Sequence, residues 1–517
     1  GTTALVLLSL LFAGYSTVQE SRMARARAES QLEAERANEI TDLLLGMFEA
    51  ADPQRDRADT LSVTELLERG VERAAGLDAQ PRVQAEMWSV MGRAYRGLGD
   101  YERSAELLRR SVERHEDLGI PDREAYVGSL ERLGRTLALQ RRHDEALELQ
   151  GRVLDARREI LGDDHPHTAI ALARLAQTHL EAQHYDRAES LSTIALERLR
   201  RRPPENPEQV LDAESNLAVL HAQRGDFATA AAIAESVLVH RRALLGDDHV
   251  RVARDLHNLA GYTRRLADYD RAERLFRQAL AIRRAQLPPT HPRLASTLHN
   301  LAIVVDELER HDEAEELFLE ALDVRRRAFG DAHPRVASAY ANLGVSMSRR
   351  GDHDRAIEYL EQGVETLRRA VEPPDASLAS ALRNLAATYY LAGRLDEARL
   401  AADEALEQTT ALVGERSTRV GYVQNVRAAI ALADGDADEA ERLRREAGRI
   451  FTEALGEDHP RVATALHGLG AALAAQDRTT EADSAFARAV RIRRAALGDD
   501  HRLTRQSIEA LEELRSP

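Results

Sequence analysis

The chain has 517 residues, a net charge of −16, 31% charged residues and only 4% aromatic ones. That surplus of negative charge excludes a nucleic-acid binder built on clustered positive charge. The absence of cysteine excludes disulfides, zinc–thiolate sites and thiol chemistry. All 71 basic residues are arginine, a bias that a GC-rich genome explains without any functional demand.

The chain opens on Gly1 rather than Met, and it is expected to be a fragment of something longer. Residues 2–18 carry no charge and are rich in Leu, Val and Phe. This stretch sits at the lower length limit for a helix crossing a bilayer. A signal-peptide remnant and a buried core helix are the alternatives. No small-x-small cleavage site follows and a charged helix continues directly, so residues 1–18 are read as a transmembrane helix. Residues 19–50 are read as a juxtamembrane helix, with Ile40, Leu43, Leu44, Met47 and Phe48 on one stripe. Residues 51–80 form an N-terminal capping segment. In it, Ser62 and Glu65 make a capping box that starts a helix running to about Ala75.

From about residue 81 a period of 42 takes over: Ala146, Ala188, Ala230, Ala272, Ala314, Ala356, Ala398, Ala440 and Ala482 recur, with Ser104 starting the series. A fixed period in this range means stacked supersecondary units in an array rather than one globular core. Each unit reads as a first helix, a tight turn and a second helix. The turns Gly99-Asp100, Gly225-Asp226 and Gly351-Asp352 pair backbone freedom with an N-cap. The second helices end at aligned residues such as Gly162, Pro204, Gly246, Pro288, Gly330, Gly414, Gly456 and Gly498, where glycine is expected to close the helix in the left-handed conformation. Pro166, Pro292, Pro334 and Pro460 fall where the next helix starts. Ten helix pairs fill 81–502, and 503–517 is a capping helix with Ile508, Leu511 and Leu514 on one face.

Within the first unit, Trp88, Met91-Gly92, Tyr95 and Ser104 resemble the tetratricopeptide signature of Trp, Leu-Gly, Tyr and Ala at fixed offsets. A small residue recurs at Gly92, Gly134, Ala176, Ala218, Ala260, Ala302, Gly344, Ala386, Ala428 and Gly470, where the two helices must cross closely. The 42-residue unit departs from the usual tetratricopeptide length. Its loops LGDDHPHTA (161–169), FGDAHPRVA (329–337) and LGEDHPRVA (455–463), and HNLA at 257–260 and 299–302, are similar to the kinesin-light-chain subtype. A HEAT-type array has a similar period but lacks the Gly/Ala crossing code. The resemblance implies an all-α fold: a right-handed superhelical solenoid of about ten helix-turn-helix repeats, preceded by the transmembrane and juxtamembrane helix. A second resemblance concerns the order of segments. A membrane helix, then ANEITDLLLGMFEAADP (37–53) and LSVTELLERG (61–70), then repeats, is similar to the C-terminal half of bacterial membrane-anchored serine/threonine protein kinases. No Gly-rich phosphate loop, HRD or DFG is present, so a kinase domain would lie upstream of Gly1.

The in-register histidines His165, His249, His291, His333, His459 and His501 occupy successive loops one unit apart, too dispersed to converge on one ion. They are read as structural caps, and neither a metal, a cofactor nor a catalytic set is expected in this chain. The candidate site is the concave face of the first helices. Asn216, Asn258, Asn300, Asn342 and Asn384 recur there one per repeat. The resemblance implies that this position faces a groove and bonds the backbone of an extended peptide. An amide both donates and accepts, which suits such recognition. The alternative is that these asparagines bond the neighbouring helix and set repeat stacking. Arg93, Arg132, Arg135 and Arg174, then Arg254, His257, His299 and Arg383, are expected beside them, favouring acidic peptides. A solvated charged face explains them as well.

Two functions compete: a membrane-tethered module binding partner proteins or peptides, as the sensor or scaffold half of a kinase, and a structural array that self-associates or acts as a spacer. The expected setting is the bacterial inner membrane, single-pass, with the repeats extracytoplasmic if a cytosolic kinase precedes the span.

Overall fold

The computed structural model describes residues 63–120 and 123–516. Among them are 22 helices and no strand. The predicted span and juxtamembrane helix lie outside the described residues, and among those described no helix is long and apolar enough to cross a membrane. Two compact units are present, one ending at Val237 and one starting at Leu238.

In the first unit α1 (Val63–Ala75) precedes the pairs α2 (Pro81–Leu98) and α3 (Tyr101–Asp117), α4 (Arg123–Leu139) and α5 (His143–Leu161), and α6 (Pro166–Glu181) and α7 (Tyr185–Arg201). Then come α8 (Glu208–Gln223) and α9 (Phe227–Leu245), the latter running across the division. The second unit holds α10 (Val250–Arg265) with α11 (Tyr269–Gln286), α12 (Pro292–Glu307) with α13 (His311–Phe329), α14 (Pro334–Arg349) with α15 (His353–Ala370), and α16 (Ala376–Leu391) with α17 (Leu395–Val413). It closes with α18 (Thr418–Ala433), α19 (Ala437–Leu455), α20 (Pro460–Ala475), α21 (Thr479–Leu497) and α22 (Arg502–Arg515). Val71 and Ala74 of α1 are buried against Val83, Met87 and Met91, so α1 covers the apolar flank of the first pair.

Each pair is held by the small residue at its crossing. A Cβ on Gly92 would sit 2.7 Å from Cγ of Leu108, and one on Gly344 would sit 2.5 Å from Cγ of Leu360 and 2.9 Å from the Ala356 carbonyl. At Gly470 the obstacle is the Phe486 ring at 2.9 Å. The recurring alanine of the second helix is fully buried, as at Ala146, Ala272, Ala314 and Ala356. Interiors packed this densely have no room for a larger side chain without moving a helix.

The turn inside each pair returns one residue with positive φ at steps of 42: Gly99, Arg141, Gln183, Gly225, Ala267, Glu309, Gly351, Gly393, Gly435 and Asp477, with φ from 60 to 88°. Half are not glycine, so the backbone path is imposed by helix packing and the side chain accepts the strain. Asp100, Asp226 and Asp352 cap the following helices by accepting from Arg103 N, Thr229 N and Arg355 N.

The glycines that end second helices correct the expected closure. Gly162, Gly330, Gly414, Gly456 and Gly498 have φ of 75–90° but ψ of 160–167°. That is an extended region open essentially to glycine alone, not the left-handed helical one. The chain leaves extended so that the loop histidine can reach the next helix. Each histidine then caps it: Nδ1 accepts from the amide two residues on, at 3.2 Å in His165, 3.1 Å in His249 and His291, and 3.0 Å in His333.

A further device sits on second helices of the second unit. Arg283 is 4% exposed, and its Nη1 donates to the Arg293 carbonyl at 2.9 Å and to Thr297 Oγ1. Arg325 repeats the reach to the Arg335 carbonyl at 3.2 Å, and Arg493 to the Leu503 carbonyl at 2.7 Å and Ser507 Oγ at 2.5 Å. Arg241 meets the buried carboxylate of Asp255 in the same way. Each arginine thus reaches under the next first helix, and Arg283, Arg325 and Arg493 bond a carbonyl of its opening turn.

Candidate functional site

The asparagine positions lie on the first helices, half-exposed at Asn216, Asn258, Asn300, Asn342 and Asn384. Three of them make contacts that belong to stacking. Nδ2 of Asn300 is 3.3 Å from Nε2 of His257, and Nδ2 of Asn342 is 3.4 Å from Nε2 of His299. Asn216 donates to Gln177 Oε1 at 3.4 Å. Each reaches back to the first helix of the preceding repeat, so at these three steps one amide laces the neighbouring first helices. The fourth, Asn384, instead accepts from Arg383 Nη2 at 3.1 Å. An amide nitrogen can only donate, so the partner imidazole nitrogen accepts and the ring is neutral. Burial, with Arg283 adding to it, pushes His257 down to about 3; burial, with Arg325 and Arg264, pushes His299 down to about 4. The rings also pack edge-on or tilted against Phe276 and Phe318, at 5.2 and 5.5 Å between centroids.

The predicted arginines separate into different situations. Arg132 donates to Ser89 Oγ at 3.2 Å and is half-buried, while Arg135 is exposed. Burial lowers the pKa of Arg96, and Arg135, Arg132 and Arg93 lower it further, so α2 and α4 share a positively charged surface. Beside it is a cavity of about 200 Å³ lined by Ser89, Arg93, Ser129 and Arg132, but Glu86 also lines it. Arg174 is paired with Glu131 on the first helix of the preceding repeat. Arg254 bonds Asp255 Oδ1 at 3.3 Å. Of the predicted arginines, Arg174 is therefore neutralised by a carboxylate that the sequence pattern did not reveal, while Arg254 shares Asp255 with Arg241.

Arg383 stands apart. Its guanidinium lies over the Tyr422 ring, 5.6 Å from the centroid, and Arg461 lies over the same ring at 4.2 Å. Burial lowers its pKa, and Arg461 adds to the effect. Together with Asn342 and Asn384 it opens onto a cavity of about 610 Å³ that runs across α14, α16 and α18. The structure thus brings Asn342, Arg383 and Asn384 to one place, and leaves the remaining candidates along the face. Tyr422 was missed because it stands outside the asparagine register, and Arg419 and Arg461 because their own 42-residue register, shared with Arg251, Arg293 and Arg335, lies at the start of the first helix. Their signal was a lone tyrosine flanked by arginines in a chain poor in aromatics.

Comparison with known proteins fits this architecture. Tetratricopeptide repeat models match residues 83–150, 126–201, 209–285, 293–369 and 419–495, and a second such model matches 378–418. No curated protein sequence matches the chain. Among solved structures, BtubC (BKLC) from P. vanneervenii is 27% identical over 44% of this chain and 92% of that one, with a TM-score of 0.40. A putative kinesin light chain from Podosopora anserina with nearly identical repeats is 22% identical over 41% and 99%, at 0.37. The apo quorum sensor NprR from B. thuringiensis, 15% identical over 73% and 99% with a TM-score of 0.50, is similar in fold.

Proposed function

Because this chain belongs to the tetratricopeptide repeat family, we propose that the exposed face of its first helices captures segments of partner proteins. The array supports the role of a protein–protein interaction scaffold, and its repeats are of a typically non-catalytic kind. The observation that carries the reading is the register of half-exposed amides on α10, α12, α14 and α16, at Asn258, Asn300, Asn342 and Asn384. Where Asn300 and Asn342 spend their nitrogen on a histidine, the amide oxygen keeps lone pairs able to accept from a bound backbone. Replacing Asn258, Asn300 and Asn342 together with alanine is expected to abolish partner capture in a pull-down while the circular dichroism stays helical. Capture at the wild-type level by the folded variant would count against it.

The same lacing favours a second reading, in which the asparagines only set repeat spacing and the array is structural. Unchanged capture together with a lowered unfolding midpoint would support that alternative. The finer placement rests on segment order in the sequence: an anchor at residues 2–18 and an origin as the non-catalytic part of a bacterial membrane-anchored serine/threonine kinase. In that setting a kinase on the cytosolic side would leave the repeats extracytoplasmic.

A further inference from the structure

The cavity across α14, α16 and α18 has an identifiable cause. Arg157, Arg241, Arg283, Arg325 and Arg493 mark one position of the second helix, at multiples of 42 from one another, although Arg157 turns to Glu124 instead. At that position α15 and α17 carry Leu367 and Thr409. In these repeats Arg283, Arg325 and Arg493 reach the carbonyl ten residues on, and Arg241, Arg283 and Arg493 reach the side chain fourteen on. The equivalent residues here are Ser377 and Ala381, then Arg419 and Val423, and all four line the cavity. The hollow therefore lies where an arginine at 409 would reach, whereas Leu367 is itself buried. Other repeats that lack the arginine fill the space with hydrocarbon, as Leu199 and Phe451 do, both fully buried.

Its lining is lopsided in charge. Arg383 and Arg419 face it, with the amides of Asn342 and Asn384 and the hydroxyls of Ser338 and Ser380, and no carboxylate is among the lining residues. Tyr422 holds Arg383 in place from one side, while Leu367, Leu412 and Val413 supply apolar wall. The head of α16 is not offered to an anion, because Asp375 already accepts from the amides of Ser377 and Leu378, at 2.8 and 2.9 Å. That carboxylate also disfavours a dianion nearby. A planar, singly charged group fits what remains, since an arginine fork matches a carboxylate. A volume of about 610 Å³ is within the range of small-ligand sites.

We infer that this cavity binds a carboxylate carried on a compact apolar body, either a free acid or the acidic side chain of a bound segment. The inference rests on the proposed use of the first-helix face and gives it an anchor point. The test uses the full chain and two probe pairs in calorimetric titration: 1-naphthaleneacetate against its neutral amide, and acetyl-Leu-Glu-Leu-amide against acetyl-Leu-Gln-Leu-amide. At least one carboxylate probe is expected to bind at a single site, at least about tenfold tighter than its neutral partner. Whichever pair responds tells a free acid from a peptide side chain.

Thr409→Arg restores the missing arginine. It is expected to fill the hollow, keep the helical circular dichroism and weaken the probe by at least about tenfold. Arg383→Gln, which removes the charge and its contact with Tyr422 but keeps a polar side chain, is expected to erase the preference for the charged probe. Failure of both carboxylates to bind, equal binding of charged and neutral probes, or undiminished binding by folded Thr409→Arg would overturn the inference. Should Thr409→Arg not fold, Arg383→Gln decides. The probes need no partner protein, so their failure sinks the cavity alone, whereas unchanged capture by the asparagine variant sinks the wider reading.

Discussion

Helices α10 to α14 and helices α15 to α18 are built on the same 42-residue template, yet buried or half-buried arginines brace the first stretch and a cavity opens in the second. In the first, Arg283 and Arg325 each lie under the following helix and hold a carbonyl of its first turn. In the second, Leu367 and Thr409 stand in their place and a cavity of about 610 Å³ opens. The side chain at this position of the second helix thus contributes to how closely successive repeats pack, and it varies while the helix-pair template is kept. Ligand sites in such arrays can arise from a substitution in the second helix, although the face that binds is made by the first.

The largest effect is expected where α9 and α10 bury a pair of opposite charges. Asp255 is 3% exposed and meets Arg241, which is fully buried. Asp255→Ala strands that guanidinium and is expected to cost about 3–5 kcal/mol, the usual penalty for halving a buried pair. Urea unfolding followed by circular dichroism measures it. A loss no larger than that of an exposed Asp→Ala, such as Asp247→Ala, would show that the pair contributes little.

Acid provides a second contrast. The folded chain holds His257 down to about 3, and His299 and His467 down to about 4, each chiefly through burial. Unfolded, each titrates near the ordinary value of about 6.5. The folded state therefore refuses protons that the unfolded state takes. The stability is fully present above about pH 6.5 and is lost as pH falls toward the folded values, at up to about 1.4 kcal/mol per pH unit for each histidine. The equivalent position holds Ala341 in α14 and Arg383 in α16, so the sensitivity belongs to α10, α12 and α20. A variant with glutamine at 257, 299 and 467 should show a flatter stability profile between pH 6.5 and 4.5. Parallel profiles for the two proteins would remove these rings as the source.

These expectations draw on different depths of legibility. The repeat, the helix pairing and the Gly/Ala crossings were readable because close packing at a fixed point leaves the same small residue in every unit. The capping histidines were readable for a similar reason, since a helix start needs a side-chain acceptor. The asparagine partners were not. Periodicity puts Asn300 and Asn342 on a face, but only coordinates show that their nitrogens reach His257 and His299 of the preceding repeat. The buried arginines were overlooked because an arginine on a second helix reads as a solvated charge, although its long apolar stem lets it fill a core. The glycines after second helices were read into the wrong region, since sequence shows that glycine is needed and not which ψ it takes.

The smallest contrast lies in the turns. Glu309, between α12 and α13, has φ of 61°, while the matching turn between α16 and α17 uses Gly393 at 74°. Glu309→Gly is expected to gain a few tenths of a kcal/mol and Gly393→Ala to lose about 1 kcal/mol, since only glycine enters this region without steric cost. Paired urea midpoints check both, and equal shifts of the same sign would refute the assignment of strain.

The account turns on capture of partner segments by the first-helix face. Its most direct measurement is the dissociation constant of one captured partner for the wild-type chain and for the chain with alanine at 258, 300 and 342. A weakening of at least about tenfold, with helical content intact, is the predicted result. Equal constants for the two folded proteins would contradict it and leave the asparagines as spacers between repeats.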